Sequence, residues 1–295
     1  MDQAARLRDL VRKNNGGVQQ ESEKPIRIYT IFSGKGGVGK SNIAVNLAIA
    51  LQRRNKRVLI IDADLGMANV DVLLGIYPKH TIYDVLFKQY PLQDTLITGY
   101  EGIKVLPGGS GITELAMLDM EQKEAFGKQF SALEDIDIIL IDTGAGINRS
   151  SLSFISFSQE LILVTTPEPT AMTDAYSAIK IMTQFKLNKN IKVIVNCCPD
   201  SGIGKSVYCR LNSTSEAFLN KPLEMLGYIL DDEKVVKSVM DQVPFMIQYP
   251  NCSASKCINK IADELLGDNE KADKDGISRI YSIRQVYKRL LKVFG

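Results

Sequence analysis

The chain has 295 residues, 45% hydrophobic and 24% charged, an ordinary globular composition long enough for one large α/β domain around a buried sheet. Its 36 basic and 34 acidic side chains leave a net charge of +2, so the molecule as a whole makes no case for nucleic acid as a partner. No run approaches the roughly 18 apolar residues of a membrane span and Met1–Lys24 lacks the apolar core of a secretion signal, so the expected location is cytoplasmic.

Met1–Arg12 is helix-prone, with Ala4, Leu7, Leu10 and Val11 near one face and Arg6, Arg8 and Arg12 among them. Lys13–Lys24 follows as a polar Asn-Asn-Gly-Gly tether. The residues alone leave two readings, an appendage on a tether or a frayed terminus.

Arg27–Phe32 reads as a strand and Asn42–Leu51 as a helix. Between them, Gly34-Lys35-Gly36-Gly37-Val38-Gly39-Lys40-Ser41 fits G-x-x-x-x-G-K-[ST] in the strand–loop–helix context that a phosphate loop requires. The glycines let backbone N–H groups point at anionic oxygens, and the helix adds its positive end. Lys40 brings a cation to the outer phosphates and Ser41 a hydroxyl to Mg²⁺, so a nucleoside triphosphate with Mg²⁺ is the expected ligand. Asn42, which opens the helix, completes the expected nucleotide-binding stretch. A second lysine inside the loop, Lys35, is not required by phosphate binding.

Further strand-like runs follow at Arg57–Asp62, Ile103–Leu106, Ile136–Ile141, Glu160–Thr165, Lys192–Asn196 and Leu226–Leu230. Continuous Val, Ile and Leu runs alternating with helical patterns indicate a doubly wound, mostly parallel sheet with helices on both faces. In such sheets the chemistry lies outside the carboxyl ends of the strands. Asp62 and Asp64 stand at one such end and Asp142 at another, where an acid can hold Mg²⁺ or orient water; Asp62 is the less certain of the three as a catalytic group. Thr166-Pro167-Glu168-Pro169-Thr170 is a stiff turn leading to a helix from about Thr173. Asn196 ends its strand with an amide that can read a purine edge or simply make a turn.

Ser201–Ser206 imitates a phosphate loop, but Pro199 stands where the spacing needs glycine; a helix from about Lys205 to Asn220 is the reading. His80, the single histidine, is expected at the surface. The five cysteines, at 197, 198, 209, 252 and 257, have no ligand-like spacing and read as free thiols. In the last stretch, Ile280, Ile283, Tyr287, Leu290, Leu291 and Phe294 recur at helical spacing while Arg284, Lys288, Arg289 and Lys292 flank them, with no acid after Asp275. This basic amphipathic helix either packs back on the domain or lies on an anionic membrane surface; the coincidence of one apolar stripe with unbroken positive charge favours the membrane.

The extra lysine gives the family. Lys35–Ser41, K-G-G-x-G-K-S, resembles the deviant Walker A loop of the MinD/ParA group of P-loop ATPases, a likeness that extends over about Arg27–Leu266. The resemblance implies that the cofactors are ATP and Mg²⁺, that Lys35 reaches across an ATP-bound homodimer to the partner's phosphates, that Lys40 and Ser41 serve phosphate and Mg²⁺ in cis, and that Asp64 orients water and stands with Ser41 and Asp142 in the metal set. It implies further that Asp142 is the switch II acid at the metal and that Asn196 recognises adenine; Lys35, Lys40 and Asp64 are then the catalytic set. Thr143 departs from the proline or serine common in the wider group.

Within that group, Asp2–Arg8 and the stretches Asp64–Asp71 and Pro107–Gly111 resemble the FlhG (YlxH) family, MinD-like ATPases of flagellar number and placement. That likeness implies activation of the signal-recognition-type GTPase FlhF through Gln3, Leu7 and Arg8, contact with flagellar switch components, and reversible peripheral binding at the inner face of the cell membrane. The membrane contact is assigned to Ile280, Ile283, Arg284, Tyr287, Lys288, Leu291 and Phe294. The expected organisation is an activator segment at 1–24, a MinD-like ATPase domain at 25–275 and a membrane-targeting helix at 276–295. A division-site regulator, a DNA-partitioning ATPase, an iron–sulfur carrier and a non-hydrolysing binding module are the alternatives.

Overall fold

A computed structural model describes residues 26–64, 69–108, 120–133, 135–185, 187 and 189–274. The N-terminal candidates Gln3, Leu7 and Arg8, the whole C-terminal set from Ile280 to Phe294, and parts of the 64–71 and 107–111 stretches lie outside the described residues.

Eight strands form one sheet: β1 (Arg27–Phe32), β2 (Val58–Ala63), β3 (Ile97–Thr98), β4 (Lys104–Leu106), β5 (Ile138–Thr143), β6 (Glu160–Thr165), β7 (Asn190–Cys198) and β8 (Glu224–Leu230). Their order is β3-β4-β2-β5-β1-β6-β7-β8, parallel throughout except for β3, which runs antiparallel to β4. Every residue of β2 and β5 is buried, as continuous apolar runs covered on both faces require. The ladder between β7 and β8 is interrupted by register shifts at Val193/Ile194 and Val195/Cys198.

Several strand boundaries move: β7 runs from Asn190 to Cys198 where Lys192–Asn196 was expected, and β8 starts at Glu224 rather than Leu226. The apolar run expected to start at Ile136 enters the sheet at Ile138, where register pairs it with Arg27 on β1 and Val58 on β2. The strand consequently carries Asp142 and Thr143 inside the ladder, beside Asp62 and Ala63. The two-residue β3 was too short to show as a periodic run.

The helices are α1 (Lys40–Gln52), α2 (Val70–Leu74), α3 (Ile82–Phe87), α4 (Met120–Ser131), α5 (Arg149–Phe157), α6 (Pro169–Gln184), α7 (Ser201–Leu219), α8 (Glu233–Met240) and α9 (Ser253–Lys274), with single helical turns at Leu92–Thr95 and Phe245–Gln248. One sheet face is covered by α1 and α9, the other by α3 to α7. All residues of α1 from Ile43 to Leu51 are buried, because the sheet lies on one side and α2, α9 and the Phe245–Gln248 turn on the others. The one amide in that stretch, Asn46, is satisfied: its Nδ2 donates to the Asn42 carbonyl at 2.8 Å and its Oδ1 accepts from the Met246 N–H at 2.9 Å.

Three helices begin earlier than expected, α1 by two residues at Lys40. Helix α7 starts at Ser201 because Asp200 caps it, its Oδ1 accepting from Ile203 N–H at 2.9 Å. The phosphate-loop imitation is thus the first turn of a helix, and Gly204 sits there because a Cβ would press on Tyr228 and Cys198. Helix α6 starts at Pro169, whose fixed φ and missing N–H suit a first helical position. Helix α9 runs back along the sheet, from Ser253, whose N–H is held by Asp232 beyond the end of β8, to Asp268 at the opposite edge. There the Lys192 ammonium, 4% exposed, lies 2.8 Å from Asp268, 2.9 Å from Glu224 and 3.5 Å from Glu160.

Candidate nucleotide site

The site lies at the carboxyl ends of β1, β2, β5, β6 and β7. The loop after β1 is pressed against α6 so closely that a Cβ on Gly34 would run into the Asp174 carbonyl and the Ala175 nitrogen. At its other end Gly39 adopts φ 90° to cap α1, a conformation that costs other residues dearly. The loop is fixed further by the Ser33 hydroxyl donating to the Lys35 carbonyl at 2.7 Å and by Gly146 N–H donating to the Ser33 carbonyl at 3.0 Å. These bonds hold the loop open with α1 behind it.

Lys40 is 7% exposed. Burial lowers its pKa, against the opposing pull of the Asp142 and Asp64 charges. Asp142 is fully buried, and neither carboxylate oxygen has a hydrogen-bond partner. Burial pushes its pKa up to about 7; the charges of Asp62 and Asp64 add to the rise, while the Ser41 hydroxyl and Lys40 oppose it. Asp62, directly across the ladder from Asp142, is 2% exposed and is pushed up to about 6, again by burial, although the N–H groups of Asp64 (3.1 Å) and Val70 (3.4 Å) stabilise its charge. Asp64 lies over Gly144: a Cβ there would be 3.1 Å from its Oδ1. Buried carboxylates crowded against one another are the arrangement a divalent cation relieves, and the orphaned oxygens of Asp142 near Ser41 fit that group.

The two lysines of the loop part company. Lys40 enters the buried cluster, whereas Lys35 is 38% exposed and turned to the β6–α6 turn, its Nζ 2.7 Å from Glu168 Oε2 and 2.9 Å from Thr170 Oγ1. Sequence reading found the stiffness of this turn but not its acid; the available signal was a carboxylate following the strand next to β1. Asn196 is brought to the loop as well, its Nδ2 donating to the Val38 carbonyl at 2.9 Å. The amide nitrogen therefore braces the loop, a role not foreseen for it. Thr143 donates through its hydroxyl to the Ile31 carbonyl at 3.0 Å, pinning the end of β5 to the strand that feeds the loop. Gly36, Gly37, Val38, Ser41 and Asn42 lie in the loop and at the start of α1, where the motif puts them.

His80 is remote from this cluster in sequence and packing; its ring stacks on Tyr90 with centroids 3.7 Å apart, so it is half-buried rather than plain surface. Cys198, Cys252 and Cys257 are buried, Cys197 and Cys209 exposed. Among the described residues no set of three or more His, Cys, Asp or Glu side chains gathers to hold a metal by itself, and no helix is long and apolar enough to cross a membrane.

Comparison with known proteins matches the ParA family model, described as NUBPL iron-transfer P-loop NTPase, over residues 25–266. The antiactivator FleN of Pseudomonas aeruginosa is 37% identical over 248 residues, 84% of this chain and 89% of that protein. The flagellum site-determining protein YlxH of Helicobacter pylori is 32% identical over 300 residues, 100% of this chain and 99% of that one. Among solved structures, the septum site-determining protein MinD of Pyrococcus horikoshii, complexed with Mg-ADP, superposes with a TM-score of 0.63 at 28% identity, covering 81% of this chain and 96% of that one.

Proposed function

This chain belongs to the MinD/ParA family of P-loop ATPases, in its FlhG-like branch, and from that premise we propose that it is a Mg²⁺-dependent ATPase whose ATP-bound form is a face-to-face homodimer. The observation that carries the proposal is the separation of the two loop lysines: Lys40 is buried, as is Asp142, and feels the charges of Asp142 and the half-buried Asp64, while Lys35 stands at the rim on Glu168 and Thr170. A cation at the rim can leave its surface partners for a phosphate presented by a second subunit, because an exposed pair contributes little.

Backbone N–H groups of Gly34–Ser41 would bind the phosphates, with Asn42 at the start of the helix and Asn196 bracing the loop on the side where a base would enter. The Ser41 hydroxyl and Asp142 would hold Mg²⁺. The ion supplies positive charge against the outer phosphates when bound. Asp64, over Gly144, would orient the attacking water, and Lys40 in cis with Lys35 in trans would neutralise charge developing on the leaving oxygens.

The relatives' names supply the pathway: a flagellar antiactivator and a flagellum site-determining protein. The reading extends to regulation of flagellar number and placement, with Gln3, Leu7 and Arg8 activating FlhF, contacts to switch components, and the segment 276–295 binding the membrane reversibly when dimerisation doubles its valency. The test is a trio of measurements on the full chain. ATP should drive dimerisation in sedimentation velocity; Lys35→Ala should abolish it; Asp64→Ala should keep the dimer but stop phosphate release. Normal turnover by Asp64→Ala would remove that residue from its role. Failure of the chain to stimulate FlhF GTPase would point instead to a MinD-type division regulator, unchanged stimulation after Gln3→Ala would remove that residue alone from the contact, and salt-dependent DNA binding would point to a partitioning ATPase.

A further inference from the structure

Thr143 ends β5 directly after Asp142, at a place where the nucleotide chemistry needs no hydroxyl. It is 1% exposed, in a strand whose six residues are all buried. Valine has nearly the same shape and the same β-branched preference for a strand, with no polar group to take out of water, so packing alone would favour valine here. The hydroxyl needs a reason beyond packing.

Its bond supplies one. Thr143 Oγ1 donates to the Ile31 carbonyl at 3.0 Å, within the buried interior. In the ladder Ile31 is the register partner of Asp142, and this is the last pair between β1 and β5. On the other side of β5, Asp142 pairs with Asp62 and Thr143 with Ala63 of β2. The side-chain bond therefore reaches back by one residue and, with the ladder, closes a short ring of backbone in which Asp142 sits. Beyond it the chain leaves the sheet. Gly144 lies under the Asp64 carboxylate, a Cβ on Gly36 would come within 3.6 Å of the Ala145 Cβ, and Gly146 N–H returns to the Ser33 carbonyl at 3.0 Å. The end of β5 is thus fastened to the exit of β1 at two points, and the Thr143 hydroxyl is the one nearer the acid.

Asp142 depends on such fastening more than its neighbour does. Asp62 is held through its own carboxylate by the N–H groups of Asp64 and Val70. Neither carboxylate oxygen of Asp142 has a hydrogen-bond partner, so the direction of that side chain is set by where its backbone is held. Mg²⁺ tolerates little departure from octahedral geometry, which makes the placement of an acid that serves it matter.

We propose that Thr143 is a positioning residue: its hydroxyl fastens the last pair of the β1–β5 ladder so that the Asp142 carboxylate is presented to Mg²⁺ together with Ser41. The proposal rests on the assignment of Mg²⁺ to Ser41 and Asp142 made above. Thr143 acts through the backbone and touches neither metal nor phosphate.

Thr143→Val removes the hydroxyl at nearly constant shape, and Thr143→Ser keeps the hydroxyl while losing the methyl group. Binding of a fluorescent ADP analogue to the full chain is titrated in excess chelator and in excess Mg²⁺, and the quantity read is the gain in affinity that Mg²⁺ gives. In Thr143→Val that gain should fall about fivefold, the contribution of one neutral hydrogen bond, while metal-free affinity changes by less than about twofold. Thr143→Ser should keep the gain within about twofold of the parent's. A general loosening of the site would lower both affinities of Thr143→Val together, and that result overturns the proposal. So does a parent-like Mg²⁺ gain in Thr143→Val, or a loss in Thr143→Ser equal to that in Thr143→Val. No Mg²⁺ gain in the parent overturns the metal assignment itself, and this proposal with it.

Discussion

Replacing Asp142 with asparagine should stabilise the nucleotide-free protein while removing its reason for binding metal. The carboxyl is fully buried, both oxygens lack hydrogen-bond partners, and burial pushes its pKa up to about 7 from the ordinary carboxylate range. An acid whose folded pKa is raised is held more tightly protonated in the folded state. Its cost is absent below the unfolded value, grows as pH rises between the two, and is complete above about 7. At about pH 8 that cost is about 4 kcal/mol, and at about pH 5 it is below 2 kcal/mol. The amide that replaces it leaves a buried donor unpaired, a loss of about 1–2 kcal/mol. Asp142→Asn should therefore exceed the parent by about 2 kcal/mol at about pH 8 and roughly equal it at about pH 5. Urea unfolding of chelator-treated, nucleotide-free protein at the two pH values measures this, and subtracting variant from parent cancels the titrating groups that do not interact with Asp142. Mg-ADP should raise the parent's midpoint at about pH 8 and leave that of the variant nearly unmoved. A parent–variant gap that does not widen with pH would refute the argument.

Glu168→Gln should weaken the hold on Lys35; because the pair is exposed, the ATP concentration for half-maximal dimerisation should fall only about two- to fivefold by sedimentation. Gly34→Ala, which drives a Cβ into the α6 backbone, should cost about 3 kcal/mol or more in urea unfolding and lower nucleotide affinity, since the loop and α6 cannot both keep their places. Lys192→Met removes the cation shared by Asp268, Glu224 and Glu160; a loss of about 3 kcal/mol is expected near neutral pH, shrinking as the acids protonate, and an unchanged midpoint would mean the network is neutral.

What could be read from the sequence was what local pattern encodes. The runs of β-branched and aliphatic residues located seven strands, and the glycine spacing located the loop, because both signals are complete within a dozen residues. Boundaries failed where polar residues lie inside regular structure: Asp142 and Thr143 belong to β5 because they line the site, and Ser201 belongs to α7 because Asp200 supplies the cap. The partners of the loop were illegible for another reason. Glu168 meets Lys35 across 133 residues and Asn196 meets Val38 across 158, and nothing in one chain announces such pairs before the strand order is known. Thr143 was noticed only as a departure from a pattern; its bond to the Ile31 carbonyl supplies a physical reason for a hydroxyl there.

The outermost strands also bear on how many molecules can share one patch of surface. At one side the sheet finishes in β3, two residues long and reversed in direction; at the other, β8 joins its neighbour through a ladder broken at two places. Short, reversed or irregular margins are poor templates for another strand. Lateral growth of the sheet from molecule to molecule is thereby discouraged. Copies held close together should therefore stay separate molecules instead of growing edge to edge into a fibre.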